Sequence, residues 1–152
     1  MNANINRTLL ALLVTAVLLP AAQAQADDNA AIKQTALDYI EGWYEGNAER
    51  MERALHPKLV KRIFEKNSAG EVVLDEMGAQ QLVEGTRRGG GKRTPPEKQQ
   101  KDVTILDVFE NAAAVKVVAS DWIDYLQMAQ VDGRWVIINV LWELKPKSGE
   151  SR

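Results

Sequence analysis

Two carboxylates, Asp121 and Asp124, lie in the stretch DWIDYLQMAQVDGRWVIINVLWELK, residues 121–145, among tryptophan, tyrosine and branched apolar residues. Burial of a charged group is costly unless the group is paired or hydrogen-bonded. Asp121 falls at a predicted turn, where aspartate forms local hydrogen bonds and needs no functional role. Asp124 falls within a predicted strand, so we interpret it as a polar group in a ligand pocket. The two side chains do not converge, which excludes a glycosidase-like pair.

Asp132-Gly133 predicts a type I′ turn, because both central positions of that turn need positive φ. Counting outward from the turn predicts four cross-strand pairs: Val131 with Arg134, Met128 with Ile137, Leu126 with Asn139, and Asp124 with Leu141. Since side chains alternate along a strand, one face is predicted to carry Asp124, Leu126, Met128, Trp135, Ile137, Asn139 and Leu141. The other face is predicted to carry Ile123, Tyr125, Ala129, Val136, Ile138, Val140, Trp142 and Leu144.

Asp124 allows three interpretations. In the first, Asp124 forms a polar site in a pocket together with Asn139, which lies diagonally across on the next strand within side-chain reach. Alternatively, Asp124 and Asn139 form a purely structural hydrogen bond, or Asp124 forms an ion pair with Arg62. Lys61 and Arg62 are otherwise predicted to be solvated, although Arg62 is also a candidate for binding an anionic ligand.

The other candidate residues lie in the first half of the chain. Tyr39 and Trp43 are one helical turn apart, and they either pack in the core or contact a ring-shaped ligand. His56 either helps to end a helix or acts as a base near Asp124. Because it is the only histidine, it cannot form a histidine metal cluster, and we predict no metal site and no cofactor. The predicted ligand-binding set is Tyr39, Trp43, His56, Arg62, Asp124, Leu126, Met128, Trp135 and Asn139.

The elements that must position these residues follow from the hydrophobic period. From Ile32 onward, apolar residues at helical spacing predict a first helix that ends at Gly46. Asn47 is a predicted N-cap of a second helix over Ala48–Leu55, which His56-Pro57 closes. The stretch from KLVKRIFEKN to EVVLDEM fits either helix or strand, and a strand or hairpin is expected around residues 68–70. MGAQQLVEGTRR predicts a third helix.

After residue 101 the period becomes two. DVTILDVF, AAVKVVAS, IDYLQMAQV and RWVIINVLWEL predict four consecutive antiparallel strands. Helices followed by such strands predict an α+β fold in which the helices pack on one face of a curved sheet. The basic, glycine-rich segment 85–101 is interpreted as a flexible loop near the pocket mouth. It is not a phosphate-binding P-loop, because Thr86 and Arg93 replace residues that such a loop requires.

The N-terminus predicts the destination of the chain. Residues 1–26 carry Arg7, an apolar run over Leu9–Leu19 and small residues at a cleavage site, the features of a cleaved signal peptide. We therefore expect a periplasmic or secreted domain over 27–146 and a disordered tail over 147–152. The chain has no cysteine, so thiol chemistry is excluded. Removing Arg7 with the signal peptide leaves 18 of the 19 basic residues against 21 acidic ones, a balance that favours neither nucleic acid nor a membrane as partner of the mature form.

YIEGWYEGNAERMERALHPKLVKR, followed by DWIDYLQMAQVDGRWVIINVLWE, resembles the exported bacterial proteins called putative lumazine-binding, a branch of the nuclear transport factor 2-like superfamily. The resemblance covers roughly Asp28 to Lys145. It implies a cone-shaped α+β fold with three N-terminal helices on a curved, mainly antiparallel sheet around a deep pocket. It also implies a homodimer. The catalytic residues of the isomerases and dehydratases in this superfamily do not carry over to this sequence.

The sequence therefore favours an exported pocket protein that binds a small, mostly apolar or heteroaromatic molecule without catalysis. One alternative is a dimeric structural or interaction module. Another is an isomerase- or dehydratase-like enzyme that uses Asp124 as its acid or base. The apolar face that carries Tyr125, Ile138, Val140 and Trp142 is the predicted dimer interface, because exposing it would leave a large apolar patch in water.

Overall fold

The computed structural model describes residues 6–146, with side chains from residue 23 onward. The chain divides into two compact units, Met1–Ala31 and Ile32–Arg152. The predicted tail at 147–152 lies outside the described residues, and the predicted cleavage near residue 26 stays a prediction. Within the part of the chain that the structure describes, none of the helices has the length and apolar composition that a membrane-spanning helix needs.

The described residues contain the three predicted α-helices, although α1 begins before its predicted start at Ile32. Helix α1 spans Asn6–Glu45 and ends at Gly46, whose φ of 66° only glycine adopts easily. Helix α2 spans Ala48–Ala54, and the side chain of its N-cap Asn47 accepts a hydrogen bond of 3.1 Å from a backbone N–H in the first turn. Helix α3 spans Ala79–Arg87.

Six strands form one sheet in the order β2-β1-β6-β5-β4-β3. Their bounds are Leu55–Lys66 for β1, Val72–Gly78 for β2, Lys101–Phe109 for β3, Ala112–Ala119 for β4, Trp122–Val131 for β5 and Arg134–Leu144 for β6. Strand β1 runs parallel to β6, and all other neighbouring strands are antiparallel. The α+β fold with a mainly antiparallel sheet is thus confirmed.

The core of the second unit lies between the helices and one face of the sheet. Ile32, Ala36 and Ile40 of α1 are fully buried, at the spacing that predicted an inward helix face. In β4 every second residue is buried, including Val115 and Val117. The alternation shows that one face of the sheet packs on the core while the other faces outward.

The turn between β5 and β6 confirms the predicted type I′ geometry, since Asp132 and Gly133 have φ of 50° and 74°. Two predicted cross-strand pairs next to it are also confirmed, Val131 with Arg134 and Met128 with Ile137. Beyond them the predicted register is wrong. A β-bulge places one extra residue, Ile138, in β6, so Leu126 pairs with Val140 instead of Asn139, and Asp124 pairs with Trp142 instead of Leu141.

The bulge exchanges the two faces of the outer part of β6. Val140 and Trp142 share the inward face with Asp124, whereas Asn139 and Leu141 face outward. The prediction that Val140 and Trp142 belong to the outward, dimer-forming face is therefore wrong. Of the predicted interface, Tyr125 stays on the outward face.

Two predictions about the start of β1 are also wrong. Helix α2 ends at Ala54 instead of Leu55, and His56 lies inside β1 instead of closing the helix. The reason is that Leu55 already pairs with Ile137 of β6, so the chain joins the sheet before it reaches Pro57.

Candidate functional site

A cavity of about 520 Å³ lies between α1, α3 and the inward face of the sheet. Aromatic side chains form much of its wall: Tyr39 and Trp43 from α1, Trp122 from β5 and Trp142 from β6. The rings of Trp43 and Trp122 meet edge to face, with centroids 6.5 Å apart. A cavity of this size with aromatic walls is typical of small-molecule binding sites.

A buried polar network lies against this aromatic wall. The Asp124 carboxylate is completely buried, and three donors converge on it. Lys61 Nζ lies 2.5 Å from Oδ1, while the Tyr39 hydroxyl and the Trp122 indole N–H donate to Oδ2 over 3.1 and 2.7 Å. Lys61 also donates to the Tyr39 hydroxyl oxygen over 2.7 Å. Both oxygens of the Asp124 carboxylate therefore accept hydrogen bonds.

The two charged members of the network, Lys61 and Asp124, reach it through the alternation of their strands. In β1 the side chains of Leu59, Lys61 and Ile63 all point inward and are buried, since they are two residues apart. In the neighbouring strands Asp124 and Trp142 are direct cross-strand partners. Strands β1, β5 and β6 thus bring Lys61, Asp124 and Trp142 onto one patch of the sheet.

Burial governs the protonation of this site. Desolvation lowers the pKa of the Lys61 amino group, although the nearby Asp124 carboxylate raises it. Desolvation also raises the pKa of Tyr39 well above its ordinary value, and the charge of Asp124 and the hydrogen bond to it act in the same direction. Tyr39 is therefore a neutral hydroxyl that donates a hydrogen bond.

The Lys61 ammonium is also surrounded by rings. Its Nζ lies 4.7 Å from the ring centroid of Trp142, 5.4 Å from that of Tyr39 and 6.0 Å from that of Trp122. Desolvated cation–π contacts of this kind contribute about 2 kcal/mol. The rings therefore help to hold a cationic group that is largely removed from water.

The structure places only part of the predicted ligand-binding set at this cavity. Tyr39 and Trp43 line it, and Asp124 anchors its polar network. Leu126, Met128 and Trp135 are buried in the hydrophobic core instead of lining the cavity.

Arg62, Asn139 and His56 are away from the cavity. The predicted Asp124–Arg62 ion pair is wrong, because Arg62 points outward and pairs with Glu76 over 3.2 Å. The predicted contact of Asp124 with Asn139 is wrong because the bulge turns Asn139 to the outward face. The Nδ1 atom of His56 accepts a hydrogen bond of 3.1 Å from the backbone N–H of Lys58.

The sequence analysis missed Lys61, Trp122 and Trp142 as site residues. Lys61 was interpreted as solvated, yet it is only 6% exposed. The alternation Leu59, Lys61, Ile63 could have located it, had residues 55–66 been assigned as a strand with a single inward face. Among the described residues, no group of three histidine, aspartate or glutamate side chains is placed to hold a metal ion.

The glycine-rich segment, predicted to be a flexible loop, packs against Trp43. It forms two 3₁₀ turns, Gly90–Arg93 and Pro96–Lys98. A Cβ atom on Gly90 would lie 2.5 Å from the Trp43 ring, and one on Gly91 would lie 2.2 Å from the Trp43 carbonyl oxygen. The glycines are therefore required for close packing that fixes Trp43 in the cavity wall.

Comparisons with known proteins agree with this fold. The sequence profile of the family described as Putative lumazine-binding matches residues 27–143. No curated protein matches the chain.

Several solved structures are similar. A nuclear transport factor 2-like protein of unknown function from Shewanella baltica OS155 superposes with a TM-score of 0.62 at 16% identity, covering 80% of this chain and 97% of its own. One with a cystatin-like fold from Novosphingobium aromaticivorans has a TM-score of 0.63 at 11% identity, covering 86% and 90%. One from Methylobacillus flagellatus KT has a TM-score of 0.61 at 18% identity, covering 79% and 94%.

At these identities the solved structures establish the fold alone. The profile, which matches residues 27–143, spans most of the chain. The chain therefore belongs to the Putative lumazine-binding family, and its domain has the nuclear transport factor 2-like fold.

Proposed function

We propose that the protein binds a small, mostly apolar or heteroaromatic molecule in the cavity and does so without catalysis. The observation that carries the proposal is a cavity of about 520 Å³ in which three tryptophans and a tyrosine surround a buried Lys61–Asp124 pair. Planar ligands gain apolar burial and ring contacts from such walls. The family to which the chain belongs supports small-molecule binding in general terms.

The polar network gives the ligand one point of orientation. The Lys61 ammonium has three N–H donors, and two are directed to Asp124 and to the Tyr39 hydroxyl. The third is available to an acceptor atom, such as a ring nitrogen or a carbonyl oxygen of a heteroaromatic ligand. A ligand acceptor at this position would replace a cation–π contact with a charge-assisted hydrogen bond.

The same network argues against the isomerase- or dehydratase-like alternative. A general base must have a lone pair directed at the proton that it removes. Both oxygens of Asp124 already accept hydrogen bonds from Lys61, Tyr39 and Trp122. We therefore assign Asp124 to positioning Lys61 and not to proton transfer with a substrate.

We further propose that the mature protein is exported and acts as a dimer. Export rests on the signal-peptide features of residues 1–26. Dimerisation rests on exposed apolar side chains that share the outward face, where Tyr125 is the cross-strand partner of Leu141 and Phe64 that of Leu74. A second copy, related by a twofold axis, would cover this face. Sedimentation at micromolar and nanomolar concentrations tests it, and an unchanged monomer mass contradicts it.

Two measurements test ligand binding. Native mass spectrometry of the protein from its natural source should show a bound small molecule. N-phenylnaphthylamine, an uncharged aromatic dye, should bind with one site per chain and with enhanced fluorescence. Trp142→Leu should weaken dye binding about tenfold, because it removes a ring from the cavity wall. Tyr125→Leu is the matched control on the outward face and should leave binding unchanged. The absence of both a natural ligand and dye binding would refute the proposed function.

A further inference from the structure

A second, shallower space adjoins the main cavity, and we call it the arginine recess. It is lined by Trp43, Gly85, Arg88, Gly89, Gly90 and Arg93 and has a volume of about 470 Å³. Three of these residues, Trp43, Gly85 and Arg88, also line the main cavity. The two spaces therefore meet along Trp43, and one ligand can extend from the aromatic cavity into the recess.

The recess carries positive charge without a compensating carboxylate. Arg88 and Arg93 both line it, and none of the described residues that line it is acidic. Among the described residues, neither arginine forms an ion pair, whereas the adjacent Arg87 pairs with Glu84 and Arg50 contacts three carboxylates. An arginine with free donors in a concave site is suited to carboxylate, sulfonate or phosphate groups.

The main cavity has a different charge balance. Its buried cation, Lys61, is neutralised by Asp124 over 2.5 Å. Its acidic lining residues lie on β2 and at the start of β5: Asp75, Glu76 and Asp121. The uncompensated positive charge is thus concentrated on the α3 side of the cavity, at the recess.

The recess is also held in place by its backbone. The backbone N–H of Arg88 donates to Glu84 over 3.0 Å, and that of Gly89 donates to Thr86 over 2.8 Å. The next turn is closed by a hydrogen bond of 3.1 Å from Lys92 to Gly89. Together with the packing of Gly90 on Trp43, these bonds keep the arginines beside the aromatic wall before any ligand arrives.

We propose that the ligand is an aromatic anion, with its ring system in the cavity and its anionic group held by Arg88 and Arg93 in the recess. The inference rests on the proposed function, since it assigns a chemical class to the ligand of the same cavity. It identifies the role of the basic, glycine-rich segment as recognition of the anionic group.

A matched pair of dyes tests the inference. Anilinonaphthalene sulfonate and N-phenylnaphthylamine share one ring system, and only the former carries a sulfonate. Fluorescence titration of the full chain should show tighter binding of the sulfonate, with an advantage that disappears at high salt. Arg88→Gln should weaken sulfonate binding on the order of five- to tenfold and leave the uncharged dye unaffected. Adding Arg93→Gln should weaken the sulfonate further.

Arg87→Gln is the control, because Arg87 has the same charge, is exposed on α3 and does not line the recess. It should not change the affinity of either dye. If the uncharged dye binds and the sulfonate has no advantage, or Arg88→Gln and Arg87→Gln have equal effects, the aromatic-anion inference is overturned and the proposed function stands. If neither dye binds, the inference fails, and the proposed function fails with it when native mass spectrometry also shows no bound molecule.

Discussion

Replacing Asp124 by asparagine should destabilise the protein by about 3–5 kcal/mol, because it removes the counter-charge of a buried ammonium. Lys61 is 6% exposed, so water contributes little to the solvation of its charge. Its contacts in the network are Asp124 and the Tyr39 hydroxyl, and the hydroxyl is uncharged. The charge of Lys61 would then be balanced only by the faces of aromatic rings, which is insufficient.

Lost hydrogen bonds also contribute to the loss of stability that we expect for Asp124→Asn. Asp124 accepts from three donors, whereas an asparagine has one acceptor oxygen and an N–H₂ group that can only donate. If the amide oxygen faces Lys61, the amide nitrogen faces the Trp122 indole N–H at a site where that donor now bonds over 2.7 Å. An unsatisfied buried donor costs about 1–3 kcal/mol.

A double-mutant cycle isolates the ion pair. In Lys61→Met combined with Asp124→Asn, the ammonium is absent, so the amide oxygen can take the place of Oδ2 and accept from both Trp122 and Tyr39. The double variant should therefore cost at least about 2 kcal/mol less than the sum of the two single variants. Urea unfolding followed by circular dichroism measures all four free energies of unfolding.

Arg62→Met is the control for removing a cation from β1. Arg62 pairs with Glu76 at the surface, and exposed pairs contribute less than about 1 kcal/mol. The reasoning is refuted if Asp124→Asn lies within about 1 kcal/mol of the wild type and the cycle is additive. It is also refuted if Arg62→Met and Lys61→Met have equal effects, since Arg62 would then be the functional counter-ion.

Two further predictions concern packing and acid stability. Gly91→Ala should destabilise the protein by about 2 kcal/mol or more in thermal melts, because the new Cβ would lie 2.2 Å from the Trp43 carbonyl oxygen. Gly85→Ala is the control and should be neutral or stabilising, because its Cβ would lie 3.7 Å from Trp43. Equal effects of the two substitutions would contradict the packing argument. Burial raises the pKa of Asp38, but hydrogen bonds led by that from Arg50 hold this pKa below 3.8. The Asp38 carboxylate therefore stabilises the fold above pH 3.8, and this stabilisation is lost as the pH falls below 3.8. Arg50→Gln should lower stability at pH 7 by about 1–2 kcal/mol and flatten this acid dependence in urea titrations, and an unchanged acid slope would contradict the assignment.

The elements of this fold were predictable because their signals are local. Gly46 ends α1, Asn47 caps α2, and Asp132-Gly133 closes the last hairpin, each through the conformation of one or two residues. Such signals act within a few residues, so the sequence contains them in readable form. The end of α1, the start of α2, the last four strands and the α+β class followed from them.

The candidate site was less predictable because it depends on pairings between distant segments. Lys61 meets Asp124 only because β1 runs parallel to β6, with Lys61 opposite Val140. That pairing joins segments about eighty residues apart, and no turn specifies it. Sequence reasoning therefore identified Asp124 as an unusual carboxylate, but the partners that it offered were Asn139 and Arg62, the neighbour of Lys61 on the opposite face.

The bulge was invisible for a different reason. Counting from Asp132-Gly133 gives a correct register only while the two strands advance together, which they do as far as Met128 and Ile137. An extra residue such as Ile138 responds to the twist and bending of the whole sheet. The residue type at position 138 does not indicate a bulge.

Because of this bulge, the composition of the cavity wall is determined by the register of β6 as well as by its residue types. If Ile138 paired with Gln127 in a regular ladder, Asn139 and Leu141 would face the cavity and Trp142 would face away from it. Deleting Ile138 would remove the bulge without this exchange, since Asn139 already pairs with Gln127. A change of register would thus exchange several wall residues together, whereas a substitution exchanges one, and pocket residues of relatives are comparable only when their bulges align.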